Sequence, residues 1–377
     1  MKPDVSESNS LPLPDAPGGP SGPGQSEKDL RWVLFGEQGL RAGWSVAIFA
    51  SVYYLSLPVI DTLLVAMGWI HPQEGFAPVN ALFIELAPVL SMMVAAVIVA
   101  HVERRRALDY NLRGPRRALR FGVGAVAGFA ALSLLVGVLD AGGWLRLARA
   151  GLNEASMLEY AAIWAVFFLM VGCLEEGTMR CYLLFTLTRG LNFWWAAAAA
   201  AAMCGYLLIV RRGESAWGVY LIALAGVVPC WVLGRAGLKS AGFWQATWIS
   251  SMFFAMGHTT NRGETWLGIF AAGAIGAVWC ASVRVTGSAL WAIGCHAAWD
   301  WGETYFYGAA DSGMVARGHY LTTSPAGPVL WSGGSDGPEG SVLVLGAILL
   351  LLAVVLLIYG RRQRAAQHAS MLERAAS

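Results

Sequence analysis

The chain has 377 residues, of which 56% are hydrophobic and 13% charged, with a formal net charge of +2 and a mean hydropathy of +0.54. A soluble domain carries about 25% charged residues, so this composition excludes an ordinary soluble globule and predicts a polytopic membrane protein. The near-neutral charge gives no footing for a nucleic-acid partner; the basic residues cluster at the ends of apolar runs, where they act as topology signals.

Residues 1–35 open the chain with a stretch rich in Pro, Gly and Ser that lacks the apolar core of a signal peptide. They predict a disordered, uncleaved cytoplasmic tail. The N-terminal transmembrane region, 36–158, holds apolar segments at 43–69, 77–101 and 121–139. Seven further segments follow at 160–188, 193–210, 216–234, 241–258, 265–283, 287–301 and 341–359. In lipid every backbone polar group must be satisfied within its own segment. The expected fold class is therefore all-α, a polytopic transmembrane helical bundle of about ten helices with no large soluble domain.

The loop "ERRRALDYNLRGPRRALR" holds seven arginines, and "RRQR" follows the last apolar segment. Both should face the cytoplasm. Ten crossings then place both termini on the cytoplasmic side of the plasma membrane. Residues 303–340, with Glu303, Asp311, Asp336 and Glu339 but one arginine, become an extracytoplasmic loop. Residues 341–377 form a last helix and a basic cytoplasmic tail. Arg211 and Arg212 strain this count, which puts them outside.

The six cysteines, Cys173, Cys181, Cys204, Cys230, Cys280 and Cys295, show no CxxC or CxxH spacing. They read as small core residues. Gly268, Ala272 and Gly276 lie four apart, a spacing that admits a neighbouring helix. Asp61, Glu85 and Gln245 belong to no motif; each could line a cavity, but a place near a helix end or in a helix–helix hydrogen bond is the favoured expectation. No internal repeat marks an inverted-repeat transporter.

The chemistry concentrates in "CLEEGTMRCYLL", residues 173–184, where two carboxylates and an arginine interrupt an apolar run. On a helix Glu176 and Arg180 share a face, while Glu175 points about 100° away. An unpaired intramembrane carboxylate costs about 2.5–3.5 kcal/mol or more and usually faces a bundle interior or a wet cavity. Glu175 is thereby a functional candidate, against the alternative of a polar staple between helices. His258 closes the seventh segment four residues after Phe254, and His296 and Asp300 lie four apart on one face. Alone, His258 reads as interfacial and the His296–Asp300 pair as a structural hydrogen bond. Together with Glu175 they supply the two imidazoles and two carboxylates that water activation requires.

The motifs EExxxR (Glu175, Glu176, Arg180), FxxxH (Phe254, His258) and HxxxD (His296, Asp300) resemble those of the CPBP intramembrane proteases. That family includes type II CAAX prenyl proteases and bacteriocin-immunity (Abi) homologues. The resemblance covers 159–302, which would form the protease core, with an inserted helix hairpin at 193–234. It implies an intramembrane endopeptidase acting on a membrane-anchored protein or peptide within the lipid bilayer. Glu175 would activate water, His258 would position it, and His296 with residue 300 would stabilise the oxyanion. Glu176 and Arg180 would hold the motif helix. Aspartate stands at 300 where the family more often has asparagine, and an ionised aspartate has no proton to donate. It would be protonated, orient His296, or bind metal. Two mechanisms follow: one without a cofactor, and one in which Glu175, His258, His296 and Asp300 ligate a divalent metal such as zinc. Other readings of the same fold are a catalytically inactive scaffold or immunity protein and, less favoured, an ion-coupled transporter. At 1.5 Å per residue, Glu175 lies about 24 Å from Glu159 but His258 only about 6 Å from Arg262. A long, tilted or protruding fourth segment is needed to reconcile the two depths.

Overall fold

The computed structural model describes residues 31–36, 39–191, 193–210, 228–238, 240–261 and 263–360. Nine helices organise this region: α1 Ala42–Ala66, α2 Pro78–Val102, α3 Arg117–Ala141, α4 Glu154–Gly190, α5 Phe193–Val210, α6 Ala241–Gly257, α7 Trp266–Thr286, α8 Leu290–Trp301 and α9 Val344–Val355. Among the described residues six of them, α1 to α5 and α7, are long and apolar enough to cross a membrane. The protein is an integral membrane protein built as an all-α polytopic bundle.

Several expected features fall elsewhere. The end of the tail expected to be disordered carries a helical turn at Arg31–Leu34 and a two-residue ladder between Phe35–Gly36 and Gly39–Leu40. Residues 1–30, the strained pair Arg211 and Arg212 with most of the expected second hairpin arm, and the "RRQR" tail lie outside the described residues. Residues 303–340 are not a plain loop. Their strand β2, Leu321–Pro325, pairs antiparallel with β1, Leu145–Arg149, in the turn between α3 and α4. That ribbon ties the segment to the end of the bundle opposite the arginine-rich loop.

α4 resolves the depth problem. It runs for 37 residues, about 55 Å at 1.5 Å per residue, starting at Glu154 behind an Asn153 cap whose side chain accepts from Ser156 N. The added turns come before residue 160, where Glu159 was expected to mark the boundary. Directly after the two glutamates the helix widens into a π segment, Gly177–Leu183. Such bulges occur mostly as single turns and often at functional sites. Side chains from elsewhere meet this segment's carbonyls: Ser250 Oγ donates to Met179 O at 3.2 Å and Asn111 Nδ2 to Arg180 O at 2.8 Å.

α8 is held against α3 almost backbone to backbone. A Cβ at Gly124 would overlap the Trp291 carbonyl, one at Gly128 the Cys295 carbonyl, and one at Gly294 the Phe121 carbonyl. Three missing side chains thus let the helix carrying His296 and Asp300 lie flush on its support.

Candidate active site

Glu176 and Arg180 are both fully buried, with Nη1 to Oε1 at 2.9 Å. The guanidinium also sits over the Phe254 ring at 4.3 Å and the Trp279 ring at 5.0 Å. Cation–π contact gives its remaining face a partner where water cannot reach. Gly276 makes the room, since a Cβ there would collide with Arg180 Nη2. The Gly268, Ala272, Gly276 row therefore does more than admit a helix: Gly276 seats a cation, and Gly268 and Ala272 line a cavity.

Glu175 points away from that pair. Its side chain is 37% exposed, on the wall of a cavity of about 250 Å³ shared with His258, His296 and Asp300. His296 is the hub. Its Nδ1 lies 3.1 Å from Glu176 Oε1, and its Nε2 lies 3.3 Å from Asp300 Oδ2 and 3.6 Å from Glu175 Oε2. The ring stacks on Trp279 at 4.4 Å and 22°. Carboxylates accept hydrogen bonds and do not donate unless protonated, so protons must sit between this imidazole and the acids around it.

His258 follows the last turn of α6. Its Nδ1 stands 2.9 Å from Phe254 O, and a carbonyl can only accept, so Nδ1 carries the proton and Nε2 is left as the acceptor. Phe254 lies between the two imidazoles, 4.8 Å from the His258 ring and 5.9 Å from the His296 ring. The four candidate side chains thus line one cavity. Contacts join Glu175, His296 and Asp300 directly, and His258 stands across Phe254 from His296.

Among the described residues no three His, Cys, Asp or Glu side chains converge as a metal would require. His296 also has both ring nitrogens committed to carboxylates.

Several lining groups carry no motif and escaped the sequence. Glu85, expected near a helix end or in a helix–helix contact, sits well inside α2 and lines the cavity. Its place in an apolar segment was the available signal. Gln245 does bond between helices, Nε2 donating to Cys230 O at 2.7 Å, and Asp61 is exposed on α1. From the 302–340 side come Asp311, Asp336 and Glu339, and before α7 Glu264. Burial pushes Asp311 up to about 8, with the Asp300 charge adding to it, and pushes Asp336 up to about 6. Glu339 is raised by burial and then by the Asp311 charge. All six cysteines are free.

Residues 231–302 match the family model of the type II CAAX prenyl endopeptidase Rce1-like proteins. The match includes FxxxH and HxxxD and begins after EExxxR. It agrees with the family that the three motifs resemble. No curated protein and no solved structure matches the chain.

Proposed function

We propose that this integral membrane protein, whose segment 231–302 matches the Rce1-like type II CAAX prenyl endopeptidase family model, hydrolyses a peptide bond in a membrane-anchored protein or peptide. The observation that carries the reading is the approach of Glu175 Oε2 to His296 Nε2, 3.6 Å, at the wall of a cavity. The two residues come from distant parts of the sequence, and neither is needed for the Glu176–Arg180 pair that holds the helix.

In this reading a water held between Glu175 and the bare Nε2 of His258 attacks the substrate carbonyl, and Glu175 takes its proton. His296, held by Glu176 at Nδ1, swings its Nε2–H from Asp300 to the developing oxyanion as charge builds there. The C–N bond then breaks as Glu175 returns the proton to the leaving amine, giving one carboxylic acid and one amine. Asp300 thus serves as the resting acceptor for Nε2–H until the oxyanion takes its place, a role for which its lack of a proton is no handicap. No cofactor takes part in these steps. The orientation proposed from the arginine-rich loop puts both termini in the cytoplasm and 303–340 outside the plasma membrane.

The test compares the detergent-purified wild type with Glu175→Gln, His258→Ala and His296→Ala on a membrane-anchored peptide library. Loss of a general base or of an oxyanion donor costs about 10²–10⁴ in rate, so each variant should fall by at least that lower bound. Equal cleavage by all four proteins would defeat the proposal. Wild-type activity that a chelator abolishes and added zinc restores would replace the metal-free mechanism with the metal-dependent one. Full biological function in Glu175→Gln would point to the inactive scaffold of the same fold.

A further inference from the structure

The cavity's acids outnumber those that hydrolysis uses. Beyond Glu175 and Asp300 it is lined by Glu85, Glu264, Asp311, Asp336 and Glu339, and among the described lining residues there is no lysine or arginine. Acid-rich walls alone would say little. Asp336, however, is only 2% exposed, and its Oδ2 has no hydrogen-bond partner among the described residues. The groups the carboxyl does meet are a second carboxylate, Glu264, and the Thr265 backbone N–H. Glu303, fully buried behind the wall with Oε1 unpartnered, crowds one more carboxyl against the same set. Buried charge of one sign is costly until a counter-charge arrives.

The size of the space narrows what can arrive. A cavity of about 250 Å³ holds the equivalent of about eight waters at 30 Å³ each. One long side chain beside a peptide group fits; a helix does not. Among the described residues no three acids or imidazoles are placed to hold a metal ion, which favours an organic cation as the complement. An ammonium carries three N–H donors and a guanidinium five, and either can span acids that stand apart.

We propose that the cavity selects substrates presenting a lysine or arginine side chain next to the scissile bond, lodged among Asp311, Asp336 and Glu339. The position of the scissile bond rests on the hydrolase reading; the cation rests on the cavity's own walls.

Binding is therefore measured apart from turnover, on full-length Glu175→Gln in detergent. The probes are two pools of fluorescent lipid-anchored peptides, identical except that lysine and arginine in one are norleucine in the other. A charge-assisted hydrogen bond is worth enough that the basic pool should bind about tenfold tighter or better. Adding Asp336→Asn or Glu339→Gln should each shrink that ratio about threefold or more, with norleucine binding unchanged. Glu339 is the less buried of the two, so its variant keeps the test decisive where Asp336→Asn fails to fold. Equal binding of the two pools, or a preference that survives both substitutions, overturns the proposal. Basic-pool preference without any wild-type cleavage sinks the hydrolase and leaves the cation site; cleavage without preference does the reverse.

Discussion

Arg180 illustrates how single side chains set the site. It is buried to the last atom, yet its charge is met by one carboxylate and two aromatic faces. Its seat depends on an absent methyl at position 276. Gly276→Ala should therefore push the guanidinium off Glu176, costing about 1–3 kcal/mol as overpacking does and releasing Glu176 from its grip on His296. Thermal unfolding in detergent reads the first effect and peptide cleavage the second. Gly273→Ala is the control, since a Cβ there meets Ala255 at an ordinary 3.4 Å. Equal melting of the two variants would contradict this account. Helix periodicity made the Glu176–Arg180 pairing legible, because four residues bring two side chains onto one face. Nothing local to Trp279 or Gly276 announces a cation seat; each acquires that role only when α7 meets α4, a contact across about a hundred residues of chain.

At the scale of elements, the helices read more easily than the connection between α8 and α9. Apolar runs announce helices, and among the described residues their positions follow the expected segments within several residues, six of them long and apolar enough to span. The 302–340 segment gave no such signal. Its order comes from a ribbon with β1 and from buried acids, both of which depend on distant partners. Those acids carry a pH consequence. Asp311 has its pKa raised by burial from 3.8 to about 8. A raised folded pKa means that its contribution to stability is fully present below about 3.8 and is lost as pH rises through about 8. Glu339 is shifted in the same direction. The segment should accordingly open more readily in alkaline solution. Hydrogen exchange of 302–340, corrected for intrinsic rates, is expected to show stronger protection at pH 5 than at pH 8.5. The opposite ranking would mean that the two carboxyls are already paired in a way this geometry lacks.

Across the whole molecule, the candidate chemistry sits off-centre. The cavity is lined by Asp311, Ser312, Met314, Ala316, Asp336 and Glu339 from the connection that β1 and β2 anchor. The arginine-rich loop lies at the other end, where Asn111 reaches in to the Arg180 carbonyl and accepts from Ala289 N at 2.8 Å. One end therefore braces the motif helices while the other surrounds the space in which a substrate would lie. If the arginines hold their loop in the cytoplasm, the cavity must open to the opposite face, and a substrate must present its bond there. Ser335 and Leu108 are both exposed, one at each end. A membrane-impermeant maleimide should label Ser335→Cys on intact cells, and Leu108→Cys only after the cells are permeabilised. The native thiols interfere little, because Cys173, Cys181, Cys204, Cys230, Cys280 and Cys295 are all buried or half-buried. Labelling of Leu108→Cys on intact cells would invert the molecule, move the cavity to the cytoplasmic face, and redirect the search for substrates to proteins anchored on that side.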